Sequence, residues 1–298
     1  MTDNRSSVGL VLSGGGARGL AHIGVLRVLE REGIPVDYLA GTSMGGIIAA
    51  GYAAGMSSIE LEQIAFTETR KRQMLRLADP GLPKGGFIRG RRMYEFFKRN
   101  FGEKTFSELQ LPLAVVAVDL NTSREVVLDE GPLALALRAT TSVPGVFMPV
   151  EMNGQRLVDG GVLNNLPVDV VRKMGAKVVI AVDIGLARMG GVGYWIGNRR
   201  WVPGGIATTL EVIDDTIFAL RVAEQANKLQ QFPPGVLISP ELPKSVNTFT
   251  GYDRVAELVA TGERAAEEHL DEIRALIYPP RHWWFFRKQV EVDHHLAQ

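Results

Sequence analysis

Two strand–turn–helix units follow one another within the first 54 residues, and they constrain the fold more than any other feature of the chain. An apolar run at residues 8–12 leads into a cluster of glycines and then into a helical pattern at residues 20–32. A second segment at residues 37–41 leads into a sharp glycine-rich turn and a helix that ends near Ala54. This alternation predicts a parallel sheet with crossover helices, and therefore an α/β fold.

The rest of the chain supplies further elements and suggests its organisation. Apolar runs and a hairpin turn predict strands at residues 113–120, 125–128, 151–158, 177–184 and 236–239. Helical patterns are predicted at residues 91–101, 167–174, 207–231 and 251–277. We expect one domain at residues 1–278, divided into a core at 8–185, an irregular loop at 187–205 and a helical part at 206–278. An aromatic and basic tail occupies residues 279–298.

The composition excludes several functional classes. The chain has 298 residues, no cysteine, and 33 basic residues against 33 acidic ones. Without cysteine there can be no disulfide, thiolate nucleophile or cysteine-ligated metal. No spacing of histidines and carboxylates predicts a metal site either, so we expect no metal and no cofactor. The balanced charge argues against a general nucleic-acid binder.

Two further features bear on location. The opening residues, MTDNRSS, lack a basic-then-apolar signal peptide, which favours a cytoplasmic protein. Residues 38–59 carry no charge and are long enough to span a bilayer. However, this stretch contains five glycines and few large aliphatic residues, which favours a strand, a turn and a close-packed helix.

The second turn contains a candidate nucleophile. Its sequence, GTSMGG, places Ser43 at the centre of a G-x-S-x-G pattern between a strand and a helix. Gly41 and Gly45 would allow the sharp turn that lifts the hydroxyl out at the end of the sheet, over a helix N-terminus. The alternative is an ordinary strand–helix turn in which the serine caps the helix.

The first turn raises the question of which negative charge it binds. Gly14, Gly16 and Gly19 fit the G-x-G-x-x-G pattern of a dinucleotide loop. Such a site needs an acidic residue at the carboxyl end of the second strand, but Asp37 lies at that strand's start. Both loops leave adjacent strands at one edge of the sheet, so the amides of Gly15, Gly16 and their neighbours would lie near the serine. This pairing favours an oxyanion hole for acyl transfer.

A serine nucleophile needs a proton acceptor. None of the five histidines follows a buried strand, and His22 in the first helix is the least unfavourable of them. Three aspartates, Asp119, Asp159 and Asp183, end apolar runs. Two glycines follow Asp159, which would allow a close backbone approach, and partial burial would raise the pKa of its carboxyl toward the working pH. The residues alone leave these alternatives open.

Three segments resemble the signature blocks of the patatin-like phospholipases: GGGARGLAHIGVL, GTSMGG and LVDGGVLNNLP. Between the last two, TTSVPGVFMPV resembles the family's usual approach to its Asp block. The segments occur in the family's order within residues 8–185. The resemblance implies a Ser43–Asp159 dyad without histidine, in a three-layer α/β/α sandwich with a mainly parallel central sheet. It also implies an oxyanion hole formed by Gly14, Gly15, Gly16, Ala17 and Arg18.

The resemblance also implies which residues support the dyad, and it shows where this chain differs from the family pattern. Gly160, Gly161 and Asn165 are expected to order the Asp159 loop together with Asn164, while Gly41 and Gly45 shape the serine turn. The chain has Met44 and Gly46 where the family usually has alanine. Beyond residue 190 the chain does not match the family pattern.

These features lead to a functional expectation with alternatives. We expect a serine acyl hydrolase of phospholipase A or lysophospholipase type, acting on lipid acyl esters through an acyl-enzyme. The main alternative is a non-enzymatic regulator that binds an acyl ligand in the Ser43 crevice. A nucleotide-binding oxidoreductase lacks its acidic residue, and a triad α/β-hydrolase would place its serine later in the chain.

Aromatic and basic residues in the irregular loop and in the tail predict peripheral contact with a membrane surface. These residues are Trp195, Arg199, Arg200, Trp201, Trp283, Trp284, Phe285, Phe286, Arg287 and Lys288. Packing of the same side chains onto the domain or onto a partner subunit is the alternative. No oligomeric state is predicted.

Overall fold

A mixed sheet lies between two layers of helices in the computed structural model of this chain, which describes residues 5–69, 86–185, 204–248 and 250–279. Because side chains alternate along a strand, each face of the sheet has its own core. Leu10 and Leu12 pack into one apolar cluster, and Val11 between them packs into the other. The predicted α/β/α sandwich is therefore confirmed.

Ten strands occur in the described residues. They are β1 (Val8–Leu12), β2 (Tyr38–Thr42), β3 (Gly86–Ile88), β4 (Leu113–Asp119), β5 (Arg124–Leu128), β6 (Gly145–Phe147), β7 (Val150–Met152), β8 (Gln155–Asp159), β9 (Val178–Val182) and β10 (Val236–Ile238). The main sheet has the order β10-β9-β1-β2-β4-β8-β7, with β5 also paired to β4. Its strands from β10 to β4 are parallel, whereas β5, β7 and β8 pair antiparallel. Strands β3 and β6 form a separate pair.

Helices cover both faces of the sheet. Within the described residues they are α1 (Ala21–Arg31), α2 (Met44–Ala53), α3 (Ser58–Glu68), α4 (Arg91–Phe101), α5 (Leu133–Thr140), α6 (Val168–Lys173), α7 (Gly204–Gln231), α8 (Val255–Glu267) and α9 (Leu270–Ile277). Helices α6 and α7 pack on the Val11 face, and the others contribute to the Leu10 face. A short 3-10 turn at Gly16–Leu20 leads into α1, and another at Gly160–Val162 comes directly after β8.

The predicted elements are present, with four differences. The pattern at residues 251–277 forms two helices, because the ring Nδ1 of His269 bonds the Ala265 carbonyl at 2.9 Å while its backbone N–H bonds Ala266 instead. Helix α5 was not predicted, and neither was the β3–β6 pair. The long helix begins at Gly204, earlier than residue 207.

The residues expected to contact a membrane, in the loop and in the tail, lie outside the described residues, so that expectation stays a prediction. The uncharged stretch at residues 38–59 forms β2, α2 and the first two residues of α3 rather than a single span. In the parts of the chain that the structure describes, we find no helix with both the length and the apolar character required to traverse a bilayer.

Candidate active site

The carboxyl ends of two strands meet beside the middle of β4. On one edge of β4, Thr42 of β2 pairs with Val116, and Asp159 of β8 pairs with the next residue, Ala117. The other edge is occupied by β5 over both positions, so β2 and β8 share a single edge end to end. Because β2 is parallel and β8 antiparallel to β4, both chains leave the sheet at the same point. Two residues far apart in sequence, at 42 and 159, are thereby brought together.

The turn after β2 holds Ser43 in an unusual backbone conformation. Its φ is 52° and its ψ is −121°, a region of backbone conformation that residues other than glycine rarely adopt. The N–H of Ser43 donates to Thr140 Oγ1 at 3.0 Å. A β carbon on Gly41 would lie 2.7 Å from the backbone of Gly45, and one on Gly45 would lie 2.2 Å from the Leu12 carbonyl. The serine turn is therefore pressed against the end of β1.

Replacing Gly45 with alanine is expected to destabilise the protein by about 3 kcal/mol or more, because the added methyl group overlaps backbone that cannot move aside. In an exposed helix the same change usually stabilises by about 1 kcal/mol. The measurement is urea unfolding of the variant against the wild type.

Gly46→Ala is the matched control for this prediction. Its added β carbon would lie 3.3 Å from Val115 Cγ1, 3.4 Å from Thr140 Cγ2 and 3.5 Å from the Gly41 carbonyl oxygen, and none of these contacts is an overlap with backbone. We expect this variant to stay within about 1 kcal/mol of the wild type. Equal stability of the two alanine variants would contradict the close approach of α2 to β1.

Asp159 lies at the end of β8 and is nearly buried. Burial raises the pKa of its carboxyl above the usual aspartate value. A hydrogen bond with the Ser43 side chain, the N–H of Gly161 at 2.8 Å from Oδ1, and the positive charge of Arg221 each lower this pKa and offset only part of the rise. A β carbon on Gly160 would lie 2.3 Å from the Val116 carbonyl, so this position needs glycine for the loop to reach β4.

The segment that ends α5 fixes both functional backbones. Thr140 Oγ1 accepts from the Ser43 amide at 3.0 Å and donates to the Val116 carbonyl at 2.6 Å. Two residues later, the Ser142 carbonyl accepts from the Asp159 amide at 2.9 Å. The Ser43 turn and the Asp159 loop are therefore held by one short segment, which limits changes in the distance between their side chains.

The glycine loop after β1 leads into a 3-10 turn at Gly16–Leu20. The first N–H groups of a helical turn have no acceptor within it, so Gly15, Gly16 and Ala17 can donate to a ligand. The N–H of Gly14 is already bonded to the Asn165 carbonyl at 3.3 Å. The side chain of Arg18 turns away and donates from Nε to the Ile184 carbonyl at 2.8 Å.

A pocket of about 350 Å³, open to solvent, joins these parts. Residues of six segments line it: the glycine loop, the serine turn, the segment after α5, the Asp159 loop, helix α7 and the segment at Thr248. The lining includes Gly15, Gly16, Ser43, Val143, Pro144, Asp159 and Gly161. Ser43, Asp159 and the backbone of Gly15 and Gly16 thus border one small space, which we call the catalytic pocket.

Helix α7 contributes residues that the sequence did not reveal. Arg221 lines the catalytic pocket, and its Nε donates to the Gly161 carbonyl at 2.7 Å while its guanidinium donates to Asn165 Oδ1 at 3.2 Å. One turn later, Gln225 donates to Asp183 at 2.7 Å and accepts from Asn165 at 3.3 Å. No local motif marks these two positions, because they act through a helix that packs back onto distant loops.

Asn164 and Asn165 bind the Asp159 loop to its surroundings. The Asn164 carbonyl accepts from Thr42 Oγ1 at 2.8 Å, and its side-chain amide donates to Asp169 at 2.9 Å. The Asn165 amide group donates to the Gly14 carbonyl at 3.3 Å. These bonds connect the loop to the strand before Ser43 and to the glycine loop.

The other strand-end aspartates have different surroundings. Burial would raise the pKa of Asp119, but bonds from Asn121, Arg156 and Thr122 outweigh this effect and lower it. That carboxylate therefore caps the turn between β4 and β5. Burial also raises the pKa of Asp183, and bonds from Gly185 and Gln225 partly offset the rise. Neither aspartate lines the catalytic pocket.

The remaining alternatives also lie away from the pocket. His22 is buried in α1, where its Nε2 bonds the Ser13 carbonyl at 2.8 Å and burial lowers its pKa to about 4. Asp37 receives two bonds from Arg5, at 2.6 and 2.7 Å, at the amino end of the parallel strands. That position is the wrong end of β2 for a ribose ligand of the glycine loop.

Comparison with known proteins bears on identity. The sequence profile of the patatin-like phospholipase family matches residues 10–172, more than half of the chain. Patatin-like phospholipase domain-containing protein 7 of Rattus norvegicus is 34% identical over 230 residues, which is 73% of this chain and 17% of that protein. An uncharacterized NTE family protein of Mycobacterium tuberculosis is 36% identical over 179 residues, which is 59% of this chain and 49% of that protein. The alignments thus span half or less of these relatives.

Among solved structures, VipD from Legionella pneumophila aligns with 90% of this chain and 67% of its own. Its TM-score is 0.49 and its sequence identity is 14%.

Proposed function

Because this chain belongs to the patatin-like phospholipase family, we propose that it is a serine acyl hydrolase that cleaves acyl esters of lipids with a Ser43–Asp159 dyad. One observation carries the proposal: the carboxyl ends of β2 and β8 meet end to end on one edge of β4, so that Ser43 and Asp159 border the same pocket. The nearby amides of Gly15 and Gly16 add the donors that acyl transfer requires.

In the acylation step, Ser43 Oγ attacks the ester carbonyl carbon while its proton passes to the Asp159 carboxylate. The raised pKa of this buried carboxyl makes it a better proton acceptor than an exposed aspartate. The carbonyl oxygen becomes negative in the tetrahedral intermediate, and the amides of Gly15, Gly16 and Ala17 donate to it. Collapse of the intermediate breaks the ester bond, and the leaving alcohol takes the proton from Asp159.

Deacylation repeats the same steps with water. The water oxygen attacks the carbonyl carbon of the acyl-enzyme while Asp159 accepts a proton from that water molecule. The proton then passes from Asp159 to Ser43 Oγ as the fatty acid leaves. Arg221 supports this cycle as a positioning residue, since its guanidinium holds the Gly161 carbonyl and Asn165 on the Asp159 loop.

Fluorophosphonate labelling tests the proposal directly, because the probe reacts only with an activated serine hydroxyl. We expect one probe per chain, attached at Ser43 and located by peptide mass spectrometry. Ser43→Ala should abolish the labelling. Ser123→Ala is the matched control, because Ser123 also has a positive φ, 56°, but lies on an exposed turn.

Two outcomes of the labelling would separate the candidate functions. Labelled protein that releases fatty acid from phospholipids, lysophospholipids or neutral glycerides supports a hydrolase and identifies the head group. A folded protein that stays unlabelled yet binds fatty acid would instead support a non-enzymatic regulator that holds an acyl ligand.

A further inference from the structure

A second and larger cavity lies on the α2 side of the sheet, and the mechanism above does not use it. It is open to solvent on one side, and its walls are almost entirely apolar. The 3-10 turn at Gly16–Leu20 and helices α2, α3 and α4 surround it. We call it the apolar cavity; its lining includes Leu20, Met44, Ile47, Leu61, Ile64 and Phe96.

The apolar cavity adjoins the catalytic pocket along three separate segments. Ser43 lines the pocket and Met44, the next residue, lines the cavity. At the two ends of one 3-10 turn, Gly16 lines the pocket and Leu20 lines the cavity. Thr248 lines the pocket, and its carbonyl accepts from the hydroxyl of Tyr252, which lines the cavity, at 3.0 Å. A layer that these residues form therefore lies between the two spaces.

Met44 is the part of this layer closest to the nucleophile. Its side chain lies against the backbone of Gly19, where an added β carbon would come within 2.3 Å of Met44 Cγ. Methionine is unbranched and has three rotatable side-chain bonds, so it can change rotamer without moving the backbone.

The lining offers almost no polar group to a ligand. Glu68 pairs with Arg99 at 3.2 Å, so its charge already has a partner. The hydroxyl of Thr69 and the side-chain amide of Asn100 bond carbonyls of their own helices, at 2.6 and 2.9 Å. The other lining side chains are aliphatic or aromatic. A phosphate or sugar would find no free donor among these groups, whereas an alkyl chain would lose only its contact with water.

We propose that the apolar cavity holds the acyl chain of the ester that Ser43 attacks, and that Met44 opens the way between nucleophile and cavity. This inference rests on the proposed hydrolase function. The acyl chain then lies between α2, α3 and α4, and the head group remains at the open side of the catalytic pocket. The cavity thereby sets the preference for chain length.

Ile64→Trp tests this assignment by filling the cavity. Ile64 is half-buried, lines the cavity and is outside the main apolar clusters, so the larger ring should fold with little cost. The measurement is kcat/KM for nitrophenyl esters of about 4, 8, 12 and 16 carbons. Each methylene group that the cavity can no longer hold lowers kcat/KM about fourfold. If tryptophan excludes about three methylene groups, the ratio of long-chain to short-chain kcat/KM should fall by roughly 60-fold. Phe66→Trp on the exposed side of the same helix should leave this ratio unchanged.

A second measurement separates failure of this inference from failure of the proposed function. Ser43→Ala protein should bind dodecanoate by calorimetry, and the Ile64→Trp change in that background should remove the binding. If no ester is hydrolysed by the wild type, the hydrolase proposal fails. If esters are hydrolysed but the chain-length ratio and dodecanoate binding survive Ile64→Trp, the cavity assignment is overturned. Ile64→Phe replaces the tryptophan variant if that protein does not fold.

Discussion

Replacement of Ser43 by alanine is expected to lower the hydrolysis of a short-chain nitrophenyl ester by on the order of 10⁴-fold or more. The reason is that the acyl-enzyme cannot form without the hydroxyl, so both steps of the proposed cycle are lost. Alanine keeps the backbone N–H that donates to Thr140, and it can precede helix α2 as serine does. The overall structure should therefore not change. Circular dichroism of the variant should match that of the wild type.

The backbone at position 43 provides a second readout. Its φ of 52° and ψ of −121° cost about 1–3 kcal/mol for a residue with a β carbon. Ser43→Ala keeps this strain, whereas Ser43→Gly releases it and adds chain entropy to the unfolded state. We therefore expect the glycine variant to be about 1 kcal/mol more stable than the alanine variant. Turnover near the wild-type rate in both folded variants would remove Ser43 from the mechanism.

The parts of the site that the sequence predicted are those in which a strand, its turn and its helix are consecutive. The turns after β1 and β2 each fall within a few residues of their strands, and their glycines are explained by local geometry. Asp37 could be placed at the start of β2 by the same reasoning, and its bonds to Arg5 agree with that placement. Neighbouring parallel strands then bring the two turns to one edge of the sheet.

The parts that the sequence did not predict depend on pairing between distant segments. Three aspartates end apolar runs, and the two glycines after Asp159 favoured it without excluding the other two. The antiparallel pairing of β8 with β4, directly beyond the end of β2, is what brings Asp159 to the serine turn. Helix α5 is only eight residues long and lacks a capping side chain before it, so its pattern is not recognisable. Yet the segment at its end holds the amides of Ser43 and Asp159. Arg221 likewise has no signal of its own.

The glycine loop shows how far a motif specifies function. The same three glycines fit a dinucleotide loop and an oxyanion hole, and the difference lies in what stands opposite them. Here Ser43 and Asp159 border the same pocket as Gly15 and Gly16. Since the Gly14 amide is bonded to Asn165, the donors to an oxyanion would begin at Gly15, one residue later than the start of the motif.

Asp159→Asn is expected to lower ester hydrolysis nearly as much as loss of the serine, by about 10³-fold or more, because an amide cannot accept the serine proton. The amide oxygen can still accept from Gly161, so the loop should keep its shape. Asp183→Asn is the matched control: its carboxyl is also buried with a raised pKa, but it lies outside the catalytic pocket. A normal rate for Asp159→Asn would remove Asp159 from the mechanism.

The pH dependence separates catalysis by Asp159 from a structural role. Burial raises the pKa of its carboxyl, and the group must be ionised to accept a proton. The wild-type kcat/KM should therefore fall as the pH drops through that raised pKa, starting above the range of an ordinary aspartate.

Stability should change in the opposite direction. The folded state binds its proton more tightly than the unfolded state, so stability falls as the pH rises from the unfolded pKa to the folded one. Asp159→Asn lacks this penalty, and at neutral pH it should unfold in urea at a concentration equal to or higher than that of the wild type. An inactive variant with lower stability than the wild type would instead indicate a structural role for the carboxylate.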